Sequence, residues 1–345
     1  MLSKSCDKSA QEACYTNEGG HDPAASADHR VASSPALEPG SHPDASKPIK
    51  SFNAHLPSRI LSLCGGGHLC IAHLGILKAL RERGLLRYIQ GIVGISAGAL
   101  MGLIIVLGYT LEQTELLLHS IDLSIFTAIE SDSALFFYQT MCVNSGQRLE
   151  TFLCSLMENK GFPSTLTFAQ LQQQSRLFFR CYATRLQDST IQEFSAEKTP
   201  NHSILFALRA SMCLPIVFAP LKDPFTEILY YDAGLIHNMP FVFLTEQEKR
   251  QTLSVFFDIF KQTFDDTDVT TVFQYAFKSF YNLRNVYYLK QYSDATVVVK
   301  DMCMNFLDCN LKETKDLLLE RGYSACIEHL DRKPSRRSVR RYSVS

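Results

Sequence analysis

Apolar positions along this chain show no organisation before about residue 59, and from there they fall into two alternating patterns. Short continuous blocks, Ile60-Leu61-Ser62-Leu63-Cys64 and Gly91-Ile92-Val93, predict buried strands over 59–64 and 89–95. Between them Ile71, Ala72, Leu74, Ile76, Leu77 and Leu80 recur at helical spacing, which predicts a helix over 69–83 that ends near Gly84. A second helix over 98–108 completes a β-α-β-α start, the pattern of a parallel sheet. Residues 111–160 read mostly as helix, punctuated at Ser145-Gly146-Gln147-Arg148. Strands are expected at 177–184 and 190–194, a helix at 203–211, and strands at 227–230 and 253–257. A long helical run over 269–290, a strand over 295–299 and a helix over 311–330 close the pattern. The expected fold class is α/β, a parallel-type central sheet flanked by helices, in one domain over residues 56–331.

Residues 1–55 contrast with this. They are rich in Ser, Ala, Pro, His and Asp and almost free of aliphatic side chains. Burial cannot offset the entropy of ordering such a segment, so it is expected to be a disordered leader. Its irregularly spaced histidines, His21, His29, His42 and His55, fit a solvated leader better than a metal tract. The opening Met1-Leu2-Ser3-Lys4-Ser5-Cys6-Asp7 lacks the apolar core of a secretory signal.

Composition changes the picture in three places. The net charge of −1 hides an asymmetry. The stretch Arg332–Arg341 carries six cations and no acid, leaving 28 basic against 35 acidic residues before it, a net of −7. An acidic body with a short basic tail (332–345) does not suggest nucleic-acid binding. The 11 cysteines are scattered with no C-x-x-C pair, which reads as reduced thiols in a cytosol-like compartment. The 24 uncharged residues between Arg87 and Glu112 are long enough to span a bilayer. They contain five glycines and begin as a strand, so a buried strand-turn-helix explains them better.

The candidate chemistry sits in that same stretch. Gly94-Ile95-Ser96-Ala97-Gly98 is a G-x-S-x-G pentapeptide between a predicted strand and helix, the setting of a nucleophile on a strained turn. Gly65-Gly66-Gly67 follows the first strand and opens the first helix, where bare amides and the helix dipole favour developing negative charge. Asp232 lies in the turn Tyr231-Asp232-Ala233-Gly234 after a strand. Nucleophile, anion cradle and carboxylate base are the parts an acyl-transfer site requires. A dinucleotide loop is excluded for the glycine run, because the third glycine of G-x-G-x-x-G would be Cys70. The plainer readings are a small residue in a tight turn for Ser96 and a self-capping turn residue for Asp232.

These segments, with Ala207-Leu208-Arg209-Ala210-Ser211-Met212-Cys213-Leu214-Pro215 and Asn238-Met239-Pro240, occur in an order that resembles the patatin-like phospholipase family. The resemblance runs from about Arg59 to about Leu330. It implies a three-layer α/β/α fold and a Ser96–Asp232 dyad without histidine. It also implies an oxyanion hole from Gly65, Gly66 and Gly67, with Gly94, Gly98, Gly234 and Asn238 as supporting motif positions. The implied activity is metal- and cofactor-independent serine hydrolysis of fatty-acyl esters in phospholipids or other acyl lipids.

One departure matters. Relatives usually carry Lys or Arg and then Gly two and three places after the glycine triplet, where this chain has Leu69 and Cys70. Arg209, His68 or His73 are the candidates to replace that cation at the substrate, although His73 lies within a helix and suits the core. Two rivals follow: a Ser-His-Asp esterase using His237 or His329, and a catalytically silent lipid- or protein-binding module on the same fold.

The tail Arg332–Arg341 resembles a polybasic membrane-surface segment, each cation near an anionic leaflet contributing about 1 kcal/mol. A solvated tail is the equal alternative. Ser338 and Ser343 follow arginine pairs, so phosphorylation would weaken the attraction. The aromatic run Phe273, Tyr275, Phe277, Phe280, Tyr281, Tyr287 and Tyr288 is read as core rather than a lipid-facing surface. Together these readings expect a cytoplasmic protein whose partner is membrane lipid, met peripherally.

Overall fold

A computed structural model describes residues 58–126, 138, 142–259, 285–302 and 309–332, apart from a few single positions. The leader, the tail beyond residue 332 and most of the 269–290 helical run, with Phe273, Tyr275, Phe277, Phe280 and Tyr281, lie outside the described residues.

The chain opens with strand β1 (Ile60–Leu63), a 3₁₀ turn (Gly67–Cys70) and helix α1 (Ile71–Glu82). Strand β2 (Gly91–Ile95) leads into α2 (Ala97–Val106), followed by α3 (Leu111–Ser120). Next come α4 (Gln147–Glu158), α5 (Phe168–Gln174), β3 (Phe178–Arg185), β4 (Ile191–Ser195) and α6 (Ile204–Ser211). The short strands β5 (Leu221–Lys222) and β6 (Leu229–Asp232) precede α7 (Glu246–Lys249) and β7 (Thr252–Phe257). Strand β8 (Thr296–Val299) and helix α8 (Lys312–Asp331) complete the fold.

Every residue of β1, β2 and β7 is buried, as expected of strands covered on both faces. Helix α2 is buried nearly all round, so the long uncharged stretch is a strand, a turn and a core helix. Among the described residues no helix is long and apolar enough to cross a membrane. Thr110, Thr167 and Thr245 start α3, α5 and α7 with reciprocal capping boxes to Gln113, Gln170 and Glu248. Helices α1 and α8 touch backbone to backbone. A Cβ on Gly75 would fall 2.0 Å from the Leu319 carbonyl oxygen, and one on Gly322 the same distance from that of Ala72.

Strands β3, β2, β1, β7 and β8 are parallel neighbours in that order, which carries the expected parallel core. The rest of the sheet is mixed. Strands β4 and β6 both run antiparallel to β3, and β5 runs antiparallel to β6. The register fixes where β6 sits. Tyr182 pairs with Glu193 of β4 on one side and Ile95 of β2 on the other. Ala183, the next residue, pairs with Gln192 of β4 and Asp232 of β6. Strand β6 therefore occupies the same flank of β3 as β2, and the two meet head to head with their C-terminal ends at adjacent registers.

One face of the sheet carries the main core, built with α1, α2, α4, α6 and α8. The other buries Ile60, Val93, Ile95 and Tyr182 beneath Phe241 and Leu244, with Phe243 and Tyr292 at its edge. Where the expected elements fall on described residues they are present within a residue or two. Helices α5 and α7 and strand β5 were not anticipated, and β6 extends to Asp232, so this residue ends a strand instead of sitting in the turn after it.

Candidate active site

Ser96 stands between the end of β2 and the first turn of α2 at φ 53° and ψ −128°. A non-glycine residue there stores about 1–3 kcal/mol of strain, sustained only because its surroundings fix it. Those surroundings are specific. The Ser96 amide donates to Ser211 Oγ at 2.9 Å, and its carbonyl accepts the amides of Ala99 and Leu100. The flanking glycines are steric requirements. A Cβ on Gly94 would meet the Ala99 backbone at 2.6 Å, and one on Gly98 the carbonyl oxygens of Leu63 and Cys64 at 2.3 and 2.5 Å.

Asp232 ends β6 and is 1% exposed. Its amide donates to the Cys213 carbonyl at 2.8 Å, and Oδ1 accepts the Gly234 amide at 2.7 Å. Burial lifts the carboxyl to about 7, opposed by the neighbouring Ser96 hydroxyl and by the Gly234 amide. The hydroxyl is close enough to act on the acidity of Asp232, but Oδ2 has no hydrogen-bond partner among the described residues. The end of α6 thus holds both strand ends, Ser96 through Ser211 and Asp232 through Cys213. Neither Ser211 nor Cys213 stood out in the sequence as a site residue, since a buried serine and cysteine at a helix end carry no distinguishing pattern.

The glycine run passes over Ser96. A Cβ on Gly65 would fall 2.9 Å from Ser96 Cβ. Of the three amides expected as donors, that of Gly65 donates instead to Asn238 Oδ1 at 2.8 Å. Asn238 Nδ2 donates in return to the Gly65 carbonyl at 3.0 Å. The amides of Gly66 and Gly67 have no acceptor among the described residues, and Gly67, at φ 54°, begins the 3₁₀ turn.

Behind this loop His73 is fully buried, packs at a tilt against Phe257 with ring centroids 4.6 Å apart and donates from Nε2 to the Cys64 carbonyl at 2.9 Å. Burial pushes its pKa down to about 4, so the ring is neutral and structural. Leu69 and Cys70, where a cation and a glycine were expected, are both buried, as is His68. Burial raises the Cys64 thiol strongly and pushes Cys70 up to about 12, which leaves neither reactive at neutral pH.

Arg209 makes its contacts with Phe218 and the start of α4. Its guanidinium lies over the Phe218 ring at 5.1 Å and against Gly146 at the start of α4, where a Cβ would fall 1.9 Å from Nη2. Its Nε is 3.8 Å from Glu150 Oε2. Ser211, two residues on and about 200° around the helix, is the one that faces Ser96. His329 is excluded from a triad with Ser96. It lies near Asp294 before β8, at the opposite end of the parallel strands and three strands from β2. His237 rests edge-on against Phe243 and Tyr288, while Oδ1 of Asp232 is held by Gly234.

Comparison with known proteins bears on this geometry. A family model described as patatin-like phospholipase matches residues 61–245. The chain is 23% identical over 275 residues to the uncharacterized protein R571 of Acanthamoeba polyphaga mimivirus, covering 76% of this chain and 90% of that one. It is 25% identical over 190 residues to the probable lipid hydrolase 463L of Invertebrate iridescent virus 6, covering 53% and 61% of the two chains. Among solved structures, VipD from Legionella pneumophila shares the fold with a TM-score of 0.54 at 16% identity, over 80% of this chain and 67% of that one.

Proposed function

The chain belongs to the patatin-like phospholipase family, and from that premise we propose that it is a serine acyl hydrolase cleaving fatty-acyl esters of membrane lipids through Ser96 and Asp232. The observation that carries this reading is the head-to-head meeting of β2 and β6, which sets a strained serine beside a buried carboxylate with one oxygen unbonded. Asp232 takes the proton of Ser96 Oγ as that oxygen attacks the ester carbonyl. The amides of Gly66 and Gly67 receive the developing oxyanion, a contribution worth about 3 kcal/mol per donor at such sites. Collapse expels the lysolipid alkoxide, which takes the proton back from Asp232 and leaves an acyl-serine. Water then attacks the acyl carbon, giving its proton to Asp232, and fatty acid departs as Ser96 is restored.

The test is fatty-acid release from phospholipid, lysophospholipid and neutral-lipid vesicles, with chelator present, by wild type, Ser96→Ala and Asp232→Asn. Release by wild type that falls by about a thousandfold or more in both variants supports the dyad. Intact vesicle binding without release from any lipid would make the fold a silent binding module.

A further inference from the structure

Asn238 has no role in the reaction as just described, yet it touches both halves of the site. Its side chain is buried and spends acceptor and donor on one glycine: Oδ1 takes the Gly65 amide at 2.8 Å and Nδ2 reaches the Gly65 carbonyl at 3.0 Å. The same Oδ1 also faces the base. A Cβ on Gly234, whose amide tethers Asp232, would lie 3.1 Å from Asn238 Oδ1 and 3.0 Å from Asp232 Oδ1. The Asn238 backbone is fixed in turn, its amide donating to Asn285 Oδ1 at 3.2 Å.

A bidentate amide clamp of this kind locks the orientation of the peptide planes on both sides of Gly65. Glycine has no side chain to restrict its backbone, so an unclamped triplet could rotate its amides away from Ser96. With Gly65 held at both polar groups, the direction of the Gly66 amide, which shares a peptide plane with the Gly65 carbonyl, is set before substrate arrives, while the next plane is held separately by the Leu69 amide donating to the Gly66 carbonyl at 3.0 Å. Preorganisation of that kind is what makes an oxyanion hole effective. We propose that Asn238 is a positioning residue that commits the Gly65 amide to itself and, by holding the Gly65 carbonyl, aims the Gly66 amide at the oxyanion. The proposal rests on the serine-hydrolase reading. It assigns Asn238 an effect on transition-state stabilisation, exerted through Gly65, with none on ground-state binding.

The experiment compares wild type, Asn238→Leu and Asn238→Asp for kcat and KM on phospholipid vesicles, for inhibition by an acyl trifluoromethyl ketone, and for thermal stability. The ketone adds to serine as a tetrahedral oxyanion, so its affinity reports the hole directly. Asn238→Leu removes both contacts at similar volume. It should lower kcat about 100-fold, the range seen on losing an oxyanion donor, lower ketone affinity by a similar factor, and leave KM within about threefold. Asn238→Asp keeps the acceptor for the Gly65 amide, turns the donor into a second acceptor and adds a carboxyl near Asp232, so it serves, with its pH profile compared with that of wild type, if the leucine variant does not fold. Its kcat and ketone affinity should fall together by about tenfold. A folded variant with wild-type kcat and ketone affinity overturns the proposal, as does a kcat loss that follows only the folded fraction. Wild type that neither releases fatty acid nor binds the ketone overturns the hydrolase reading and this inference with it. An active wild type beside equally active variants overturns this inference alone.

Discussion

Ser96 and Asp232 each follow or end a strand, and those two strands run toward one another along a single flank of β3. Neither side chain has to reach across the sheet. Ile95 is opposite Tyr182 and Asp232 is opposite Ala183, so the two come together because their strands run out at neighbouring positions. The arrangement leaves the carboxyl shielded from water, and its proton affinity rises accordingly.

The first consequence is a pH profile. Under the proposed chemistry Asp232 must be ionised to accept the serine proton, and its carboxyl is lifted to about 7. The expected kcat/KM climbs with pH through about 7 and levels above it, in contrast to an ordinary carboxylate base that is already ionised at about pH 5. Rates on a neutral phospholipid, taken from about two pH units below that value to two above, measure this. A profile flat across the acidic half contradicts it.

A second consequence concerns stability. The folded-state value of Asp232, about 7, lies above its ordinary 3.8, so between these pH values the folded protein holds a proton that the unfolded chain has lost. Stability from this group is complete below 3.8 and is lost as pH rises through 7. The Asp232→Asn variant has no charge to bury at any pH. The variant should therefore melt above wild type at about pH 8, with the difference shrinking toward about pH 5. Melting curves at the two pH values decide it.

Much of this site was legible in the sequence, for physical reasons that also mark where legibility ends. Gly94, Ser96 and Gly98 are readable because a backbone that turns this sharply under two carbonyls admits only certain residues, and those residues are adjacent in the chain. The all-round burial of α2 was likewise readable, since a uniformly apolar stretch with glycines packs inside a fold. The loss of the Gly65 amide was not readable, because its acceptor lies 173 positions away. Strand β5 has two residues and no periodicity to detect. Arg209 and Ser211 share a short helix, and spacing alone does not say which of them turns toward the nucleophile.

Ser211 supplies a third prediction. Removing its hydroxyl in Ser211→Ala leaves the buried Ser96 amide without its acceptor, a loss of about 1–3 kcal/mol in stability. With the strained turn less firmly held, labelling of Ser96 by a fluorophosphonate should slow about tenfold relative to wild type. Equal labelling rates would show that α2 alone maintains the turn.

The glycines of the pentapeptide allow a steric test. Gly98→Ala would drive a methyl group to 2.3 Å from the Leu63 carbonyl oxygen. Overpacking there should cost about 3 kcal/mol or more, since backbone is all that could move aside. Gly108→Ala is the comparison: nothing lies within 4 Å of the new methyl, and only the φ of 82° opposes it, a penalty of about 1–2 kcal/mol. Chemical denaturation of the two variants should separate them clearly.

The head-to-head strands also bear on how a growing chain is made. Ser96 and the glycine loop emerge early, but the base arrives only with β6, on the order of ten seconds later at ordinary synthesis rates. Under the proposed chemistry, a nascent or truncated chain ending before Asp232 carries a nucleophile with nothing to activate it. The capacity to cut membrane lipids would then belong to the finished fold, and abandoned translation products would be harmless to the cell that makes them.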